Sequence, residues 1–217
     1  MKKELVLVGG GGHCKSVIEV AESAGYRIKG ILDKPELVGK KVLDYFVIGT
    51  DEQIIDMVGE VLFVITVGHV KNPSLRVRLH HRVQEVGGQF ATLIASSAHV
   101  SKYAFVGDGS VIMHHAIVNA DARIGNGCII NTSANIEHDV AIGNFCHVST
   151  GAMVNGDCMI GEKNFIGSQS VIHNNISIVG GCVIAAGAVV RKDIMKAGIY
   201  AGNPACLLYT SPSPRDA

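Results

Sequence analysis

The sequence predicts two architectures in one chain. Residues 1–92 read as a small parallel α/β sheet, and residues 93–205 as a parallel β-solenoid. Three observations carry this. Ile or Val stands at every sixth position from Ile94 through Val190, without a gap or an insertion. Four residues after each comes a second, mostly small residue, such as Ala98, Ala116, Cys128, Ala134, Cys146 and Ala152. Ahead of that run, an apolar stretch, four consecutive glycines and a helical pattern follow in the order strand, turn, helix.

A period of six fits neither a helix nor simple strand alternation. A fixed short repeat means a solenoid, in which each unit buries its apolar face only by stacking on its neighbours. The β-branched residue favours extended backbone and points into the core. The small residue marks the bend, where little room is left inside. Three units close one triangular coil of about eighteen residues, which gives between five and six coils for this run.

Residues 3–8 form the first apolar run and lead into Gly9-Gly10-Gly11-Gly12-His13. Val17, Ile18, Val20 and Ala21 then recur at helical spacing up to Gly25. A second strand covers residues 27–32 and ends at Asp33. The turn lacks a full dinucleotide fingerprint, because Cys14 and Lys15 stand where a third glycine is needed, so NAD is rejected. Free N–H groups at a helix start instead favour an anion. Gly10, Gly12, His13 and Asp33 are therefore the candidate ligand contacts, Asp33 lying at a strand's carboxyl end, where α/β sheets bind ligands.

Residues 47–49 and 61–67 read as further parallel strands, with a helix over 51–58 capped by Thr50 or Asp51. Asn72-Pro73-Ser74 opens a helix to Val86, on which His80 and His81 are surface or packing residues. A last short strand over residues 90–93 leads into the solenoid.

Lys plus Arg and Asp plus Glu are both 19, so the formal net charge is zero and no basic field argues for nucleic acid. The first apolar run is too short for a signal or a membrane span, so the protein reads as cytoplasmic with no membrane partner. Of six cysteines, Cys128, Cys146, Cys158 and Cys182 occupy the small-residue position and read as reduced core residues. No Cys-x-x-Cys pair points to a metal.

Within the solenoid one run is unusually polar: residues 131–139, Asn-Thr-Ser-Ala-Asn-Ile-Glu-His-Asp, followed by Ile142-Gly143-Asn144-Phe145-Cys146-His147-Val148-Ser149. His138 holds the third position of its hexad, neither of the inward ones, so it points outward, where a neighbouring subunit can face it. A histidine titrates near neutral pH and suits a general base. Asp139 is the first candidate to orient its ring, and Glu137 the second.

The glycine turn with His13, the position of Asp33, "NTSANIEHD", "IGNFCHVS" and "AGNPA" occur in this order across residues 2–205. Together they resemble the sugar acetyltransferases that include sialic-acid O-acetyltransferases and UDP-4-amino-sugar N-acetyltransferases. The resemblance implies a Rossmann-like acceptor domain over residues 1–92 and a left-handed parallel β-helix over 93–205. It implies acetyl-CoA as acyl donor, no required metal, a nucleotide-sugar or sugar acceptor, and a homotrimer with sites between subunits. On it, His138 matches the general base, Asp139 its support and Asn131 an active-site Asn. His147 matches a residue near the thioester, and Gly156 a backbone N–H that meets the thioester carbonyl. Gly167 and Ala186 lie in the later coils, along which the pantetheine arm runs. His13 and Asp33 match nucleotide-sugar contacts.

The chain departs from that pattern at His114-His115, where the family often has Pro-Gly, and at His173 before Asn174-Asn175. From Cys206 the pattern stops. Residues 206–217 read as a non-native tail, a translated sequencing adapter, expected to lack order. The reading is N-acetylation of a nucleotide-linked amino sugar. The alternatives are O-acetylation of sialic acid or a related sugar, a zinc-dependent hexapeptide carbonic anhydrase using His138, His147 and His173, and a solenoid that binds a nucleotide sugar without turning it over.

Overall fold

A computed structural model describes residues 4–209. The amino-terminal sheet contains β1 (Glu4–Val8), β2 (Ile28–Leu32), β3 (Lys41–Val42), β4 (Tyr45–Gly49) and β5 (Val61–Ile65), in the order β3-β4-β2-β1-β5. Helices α1 (Gly12–Ser23) and α2 (Ser74–Glu85) flank it. β1, β2, β4 and β5 pair in parallel, while β3 joins β4 antiparallel and has no counterpart in the sequence reading. The expected helix after Thr50 is a 3₁₀ segment, Asp51–Met57, with the Gln53 side chain accepting from the Thr50 N–H at 2.9 Å. The expected strand over 90–93 is reduced to a single bridge from Phe90 to Phe63, and pairing resumes at Leu93.

The rest is the left-handed parallel β-helix that the resemblance implies. Each hexad contributes one two-residue strand, and each strand pairs with the one eighteen residues on, as Ile129 does with His147 and Ile130 with Val148. Three faces result. The first carries Leu93–Ile94, Val111–Ile112, Ile129–Ile130, His147–Val148, Phe165–Ile166 and Val183–Ile184. The second runs from His99–Val100 through Asn135–Ile136 to Val189–Val190, and the third from Phe105–Val106 through Ala141–Ile142 to Ser177–Ile178.

The periodic Ile and Val fill the interior, from Ile112 on, with Ala116, Cys128, Cys146, Ala152 and Cys158 at the corners. Ile94 is a correction. It was expected inside, yet it is 37% exposed. It ends the first strand of the first coil, and no coil lies above to cover it, so stacking alone cannot bury it.

At the far end Ile199–Ala201 continues the first face, and Cys206–Tyr209 pairs antiparallel with it. The expectation of an unordered tail is thus corrected for residues 206–209. A free ladder edge offers unpaired N–H and C=O groups, which any extended segment can satisfy. Residues 210–217, the remainder of that tail, lie outside the described residues.

The amino-terminal domain docks on the first face through α1, α2 and the loop after β5. The outward residues Val111, Ile129, His147 and Phe165 are buried beneath it. Val17, Ile18 and Cys14 of α1 share one core cluster with Leu93, Val111 and Met113. From α2, the His80 ring stacks on Phe90 at 4.0 Å and meets the edge of Phe145 at 5.0 Å. Among the described residues, the second and third faces carry no such cover.

Candidate active site

His138 sits in the turn between the second and third faces. Stacking at eighteen residues puts Gly156 and then Asn174 in the same place on the next two coils. The residue after each, Asp139, Asp157 or Asn175, has a positive φ of 62°, 57° or 60°. Asp and Asn tolerate that left-handed conformation better than other non-glycine residues. Asp139 therefore has a local reason to be Asp, and it also uses its carboxylate. Oδ2 lies 2.7 Å from His138 Nδ1.

That contact fixes the chemistry of the ring. Nδ1 carries the proton toward Asp139, which leaves the Nε2 lone pair free to act as a base. The hydrogen bond to Asp139 raises the His138 pKa above its usual value, with Glu137 and Asp157 adding to it electrostatically. Glu137 is not the orienting group, because its carboxylate accepts from Asn119 Nδ2 at 2.9 Å and Asn135 Nδ2 at 2.8 Å. The ring is well exposed, at 61% of its side-chain surface. Gly156 makes room for it. A Cβ there would stand 2.9 Å from His138 Nε2 and 2.8 Å from Cε1. The Gly156 N–H donates to no backbone carbonyl among the described residues.

His147 lies elsewhere, on the first face under the amino-terminal sheet. Its Nδ1 is 2.7 Å from the His69 carbonyl oxygen, and its Nε2 is 3.2 Å from Asn131 Nδ2. A carbonyl only accepts, so the proton is on Nδ1 and Nε2 is the acceptor. Asn131 is itself oriented by the Thr132 N–H, which donates to its Oδ1 at 2.8 Å. Burial holds the His147 pKa down at about 4 against the opposing pull of the His69 carbonyl. His13 and His69 crowd the same seam, with ring centroids 6.2 Å and 5.5 Å from that of His147. Burial first, then the charge of Arg76, lowers the His13 pKa to about 3.

Arg76 holds this seam together. It is 1% exposed, and its acceptors are carbonyls: Gly127 of the solenoid from Nε, and Ile65 and Val67 at the end of β5 from Nη1.

Asp33 faces a different opening, at the carboxyl end of the sheet. Its Oδ2 accepts from the Gly10 N–H at 2.5 Å, so one donor of the glycine turn is already used. A cleft of about 310 Å³ opens beside it, lined by Gly10, Lys15, Asp33, Lys40 and Lys41. Gly12 faces open space. Gly167 and Ala186 lie at the corner between the first and second faces. A Cβ on Gly167 would meet the Ala186 nitrogen at 2.5 Å, so coil stacking alone demands glycine there.

The candidate residues thus fall in four places. His138, Asp139 and Gly156 share one corner. His13, Asn131 and His147 meet under the amino-terminal sheet. Gly10, Gly12 and Asp33 line the strand ends, and Gly167 and Ala186 share another corner. The edge that carries His138 is opposite the first face of the prism, so one chain does not bring His138 and His147 together. Sequence reasoning missed Lys15, Lys40, Lys41, His69, Arg76 and Asn174. Only Asn174 had a signal, its place two coils after His138.

Cys146 is inward, and its Sγ donates to the Gly161 carbonyl at 3.0 Å. Burial pushes its thiol pKa well up, the opposite of what a thiolate nucleophile needs.

Residues 4–83 match the family model described as the PglD N-terminal domain. The acetyltransferase domain of PglB from Neisseria gonorrhoeae FA1090 is 32% identical, with a TM-score of 0.88, over 95% of this chain and 100% of that one. The same domain has been solved in complex with acetyl coenzyme A. A variant of perosamine N-acetyltransferase from Caulobacter crescentus, in complex with CoA and GDP-perosamine, is 28% identical with a TM-score of 0.88, over 95% of this chain and 97% of that one. The UDP-N-acetylbacillosamine N-acetyltransferase of Bacillus subtilis (strain 168) is 34% identical over 115 residues. That match spans about half of each protein, 51% of either.

Proposed function

The chain belongs to the PglD-like family of sugar acetyltransferases, and from that premise we propose that it transfers acetyl from acetyl-CoA to the amino group of a nucleotide-linked amino sugar. The observation that carries this is the His138 ring, held through Nδ1 by Asp139 with Nε2 bare above Gly156. The relatives support the chemistry, since one is named as an N-acetyltransferase of UDP-N-acetylbacillosamine and another was solved with CoA and GDP-perosamine.

In this reading the sugar amine attacks the thioester carbonyl carbon while His138 Nε2 removes its proton. The N–H of Gly156 stabilises the oxyanion. The tetrahedral intermediate collapses, the C–S bond breaks, and the CoA thiolate leaves and is protonated. The cleft at Asp33 takes the nucleotide, with Lys15, Lys40 and Lys41 placed to meet its phosphates. His147, Gly167 and Ala186 serve the acyl donor, and Asn131, in contact with His147, serves the acceptor. His13 supports the acceptor side from within the seam.

The second and third faces supply the rest. Phe105 and Met159 on the third are 58% and 62% exposed, and Ile117 and Met153 on the second 39% and 42%. Apolar surface of this extent marks an interface. A closed homotrimer covers these faces and sets the His138 edge of one copy against a neighbouring copy. No helix among the described residues is long and apolar enough to cross a membrane. The supply of acetyl-CoA fits work in the cytoplasm.

The test is release of free CoA thiol from acetyl-CoA with UDP- and GDP-linked 4-amino sugars and with sialic acid. Turnover is expected with an amino sugar and is lost in His138→Ala. Turnover with sialic acid alone makes the chain an O-acetyltransferase. Turnover with neither overturns the proposal, and bound zinc in that protein points to the carbonic anhydrase.

A further inference from the structure

The notch left by Gly156 has two walls. One is His138, whose Nε2 stands 2.9 Å from the place a Cβ would fill. The other is Asn174, whose Nδ2 stands 3.4 Å from that same point. Three successive coils thus put a base, a gap and a carboxamide in one column. The carboxamide is exposed and has no hydrogen-bond partner among the described residues. Its neighbours explain their own identities locally. Asn175 has a φ of 60°, which Asn adopts readily, and its N–H donates to the Gly156 carbonyl at 3.0 Å. Nothing local accounts for the Asn174 side chain.

We propose that Asn174 is a catalytic residue, its Nδ2 donating to the oxygen of the thioester carbonyl as that oxygen gains charge. This rests on the acetyl-transfer reading above. The amine enters the notch against His138 Nε2. As the C–N bond forms, the carbonyl π electrons move onto oxygen, on the side away from the base. Nδ2 is the side-chain donor on that side, next to the unengaged N–H of Gly156. Two preorganised donors hold a tetrahedral oxyanion better than one, and they act mostly in the transition state.

The experiment compares wild type, Asn174→Ala, Asn174→Asp and His138→Ala on the sugar the wild type acetylates. Asn174→Ala is expected to lower kcat by about 10²- to 10³-fold, the usual cost of losing one oxyanion donor. The KM for acetyl-CoA should change little, because the interaction forms in the transition state. Asn174→Asp has the same shape but only accepts, and it should do no better than Ala. Normal turnover in Asn174→Ala, with His138→Ala inactive, overturns the role of Asn174 and leaves the acetyl-transfer reading standing. Recovery in Asn174→Asp overturns the donor assignment. A wild type that turns over no sugar fails the parent reading instead. The site is exposed, so both variants are expected to melt like wild type, and a large fall in melting temperature would also count against a catalytic role.

Discussion

His147 Nδ1 donates to the carbonyl oxygen of His69, 2.7 Å away, across the boundary between the solenoid and the amino-terminal sheet. One hydrogen bond thus fixes both the tautomer of His147 and the position of the loop after β5. Arg76 keeps that loop in place by holding the carbonyls of Ile65 and Val67 with the same guanidinium that reaches Gly127.

The seam predicts an acid limb in stability. Burial lowers the pKa of His147 to about 4 and of His69 to about 3 in the folded protein, against the ordinary 6.5. The unfolded chain therefore takes up protons that the folded chain refuses. The stabilising contribution is complete above pH 6.5 and is lost as pH falls toward 4, by about 1.4 kcal/mol per pH unit for each ring. His69→Asn keeps the backbone carbonyl and removes one titrating ring. Melting temperature followed from pH 7 to 4 should fall less steeply in that variant than in wild type. Identical slopes would rule out a buried neutral His69.

The pH dependence of turnover has the opposite origin. As the proposed base, His138 has to be unprotonated to act, and Asp139 raises its pKa above the ordinary 6.5. The kcat/KM profile should therefore rise with pH through a midpoint above that value. Asp139→Asn should move the midpoint down toward 6.5 and reduce kcat. His138→Ala should lower kcat by about 10²- to 10⁴-fold. An unmoved midpoint in Asp139→Asn would separate Asp139 from the base.

Gly156→Ala tests the notch. The backbone there is not left-handed, so Ala fits the main chain, but its Cβ meets the His138 ring at 2.8 Å. The ring has to swing off its contact with Asp139. A loss of kcat on the order of 10²-fold is expected, the scale of a misplacement by about 1 Å. The melting temperature should hold. Full activity would show that the ring does not work from the position seen here.

Met159→Glu tests assembly. The side chain is 62% exposed on the uncovered third face, and a charge there is harmless to one chain but unpaired inside an interface. Light scattering should show a smaller particle than wild type, together with lost turnover. An unchanged mass with full turnover would remove the third face from the interface.

Much of this molecule is legible before folding is considered. The six-residue period fixes a solenoid, because each hexad repeats the same local choice of extended backbone, inward β-branched residue and tight corner. The same count assigns His138 outward and Cys146 inward. Ile94 escapes it because burial in a solenoid needs a coil on both sides, and the count does not see an end.

Tertiary structure decided what stands beside what. Arg76 and His69 carry no signal in the sequence, and only docking against Gly127 and His147 buries them. His13 reads as part of a phosphate cradle, yet the fold sets its ring beside that of His147. His138 and Asn174 become the walls of the Gly156 notch because parallel coils stack residues eighteen apart in one column. Local sequence sets each turn's conformation, whereas contacts between coils and between domains depend on how complete surfaces pack, and no short stretch of chain contains that information.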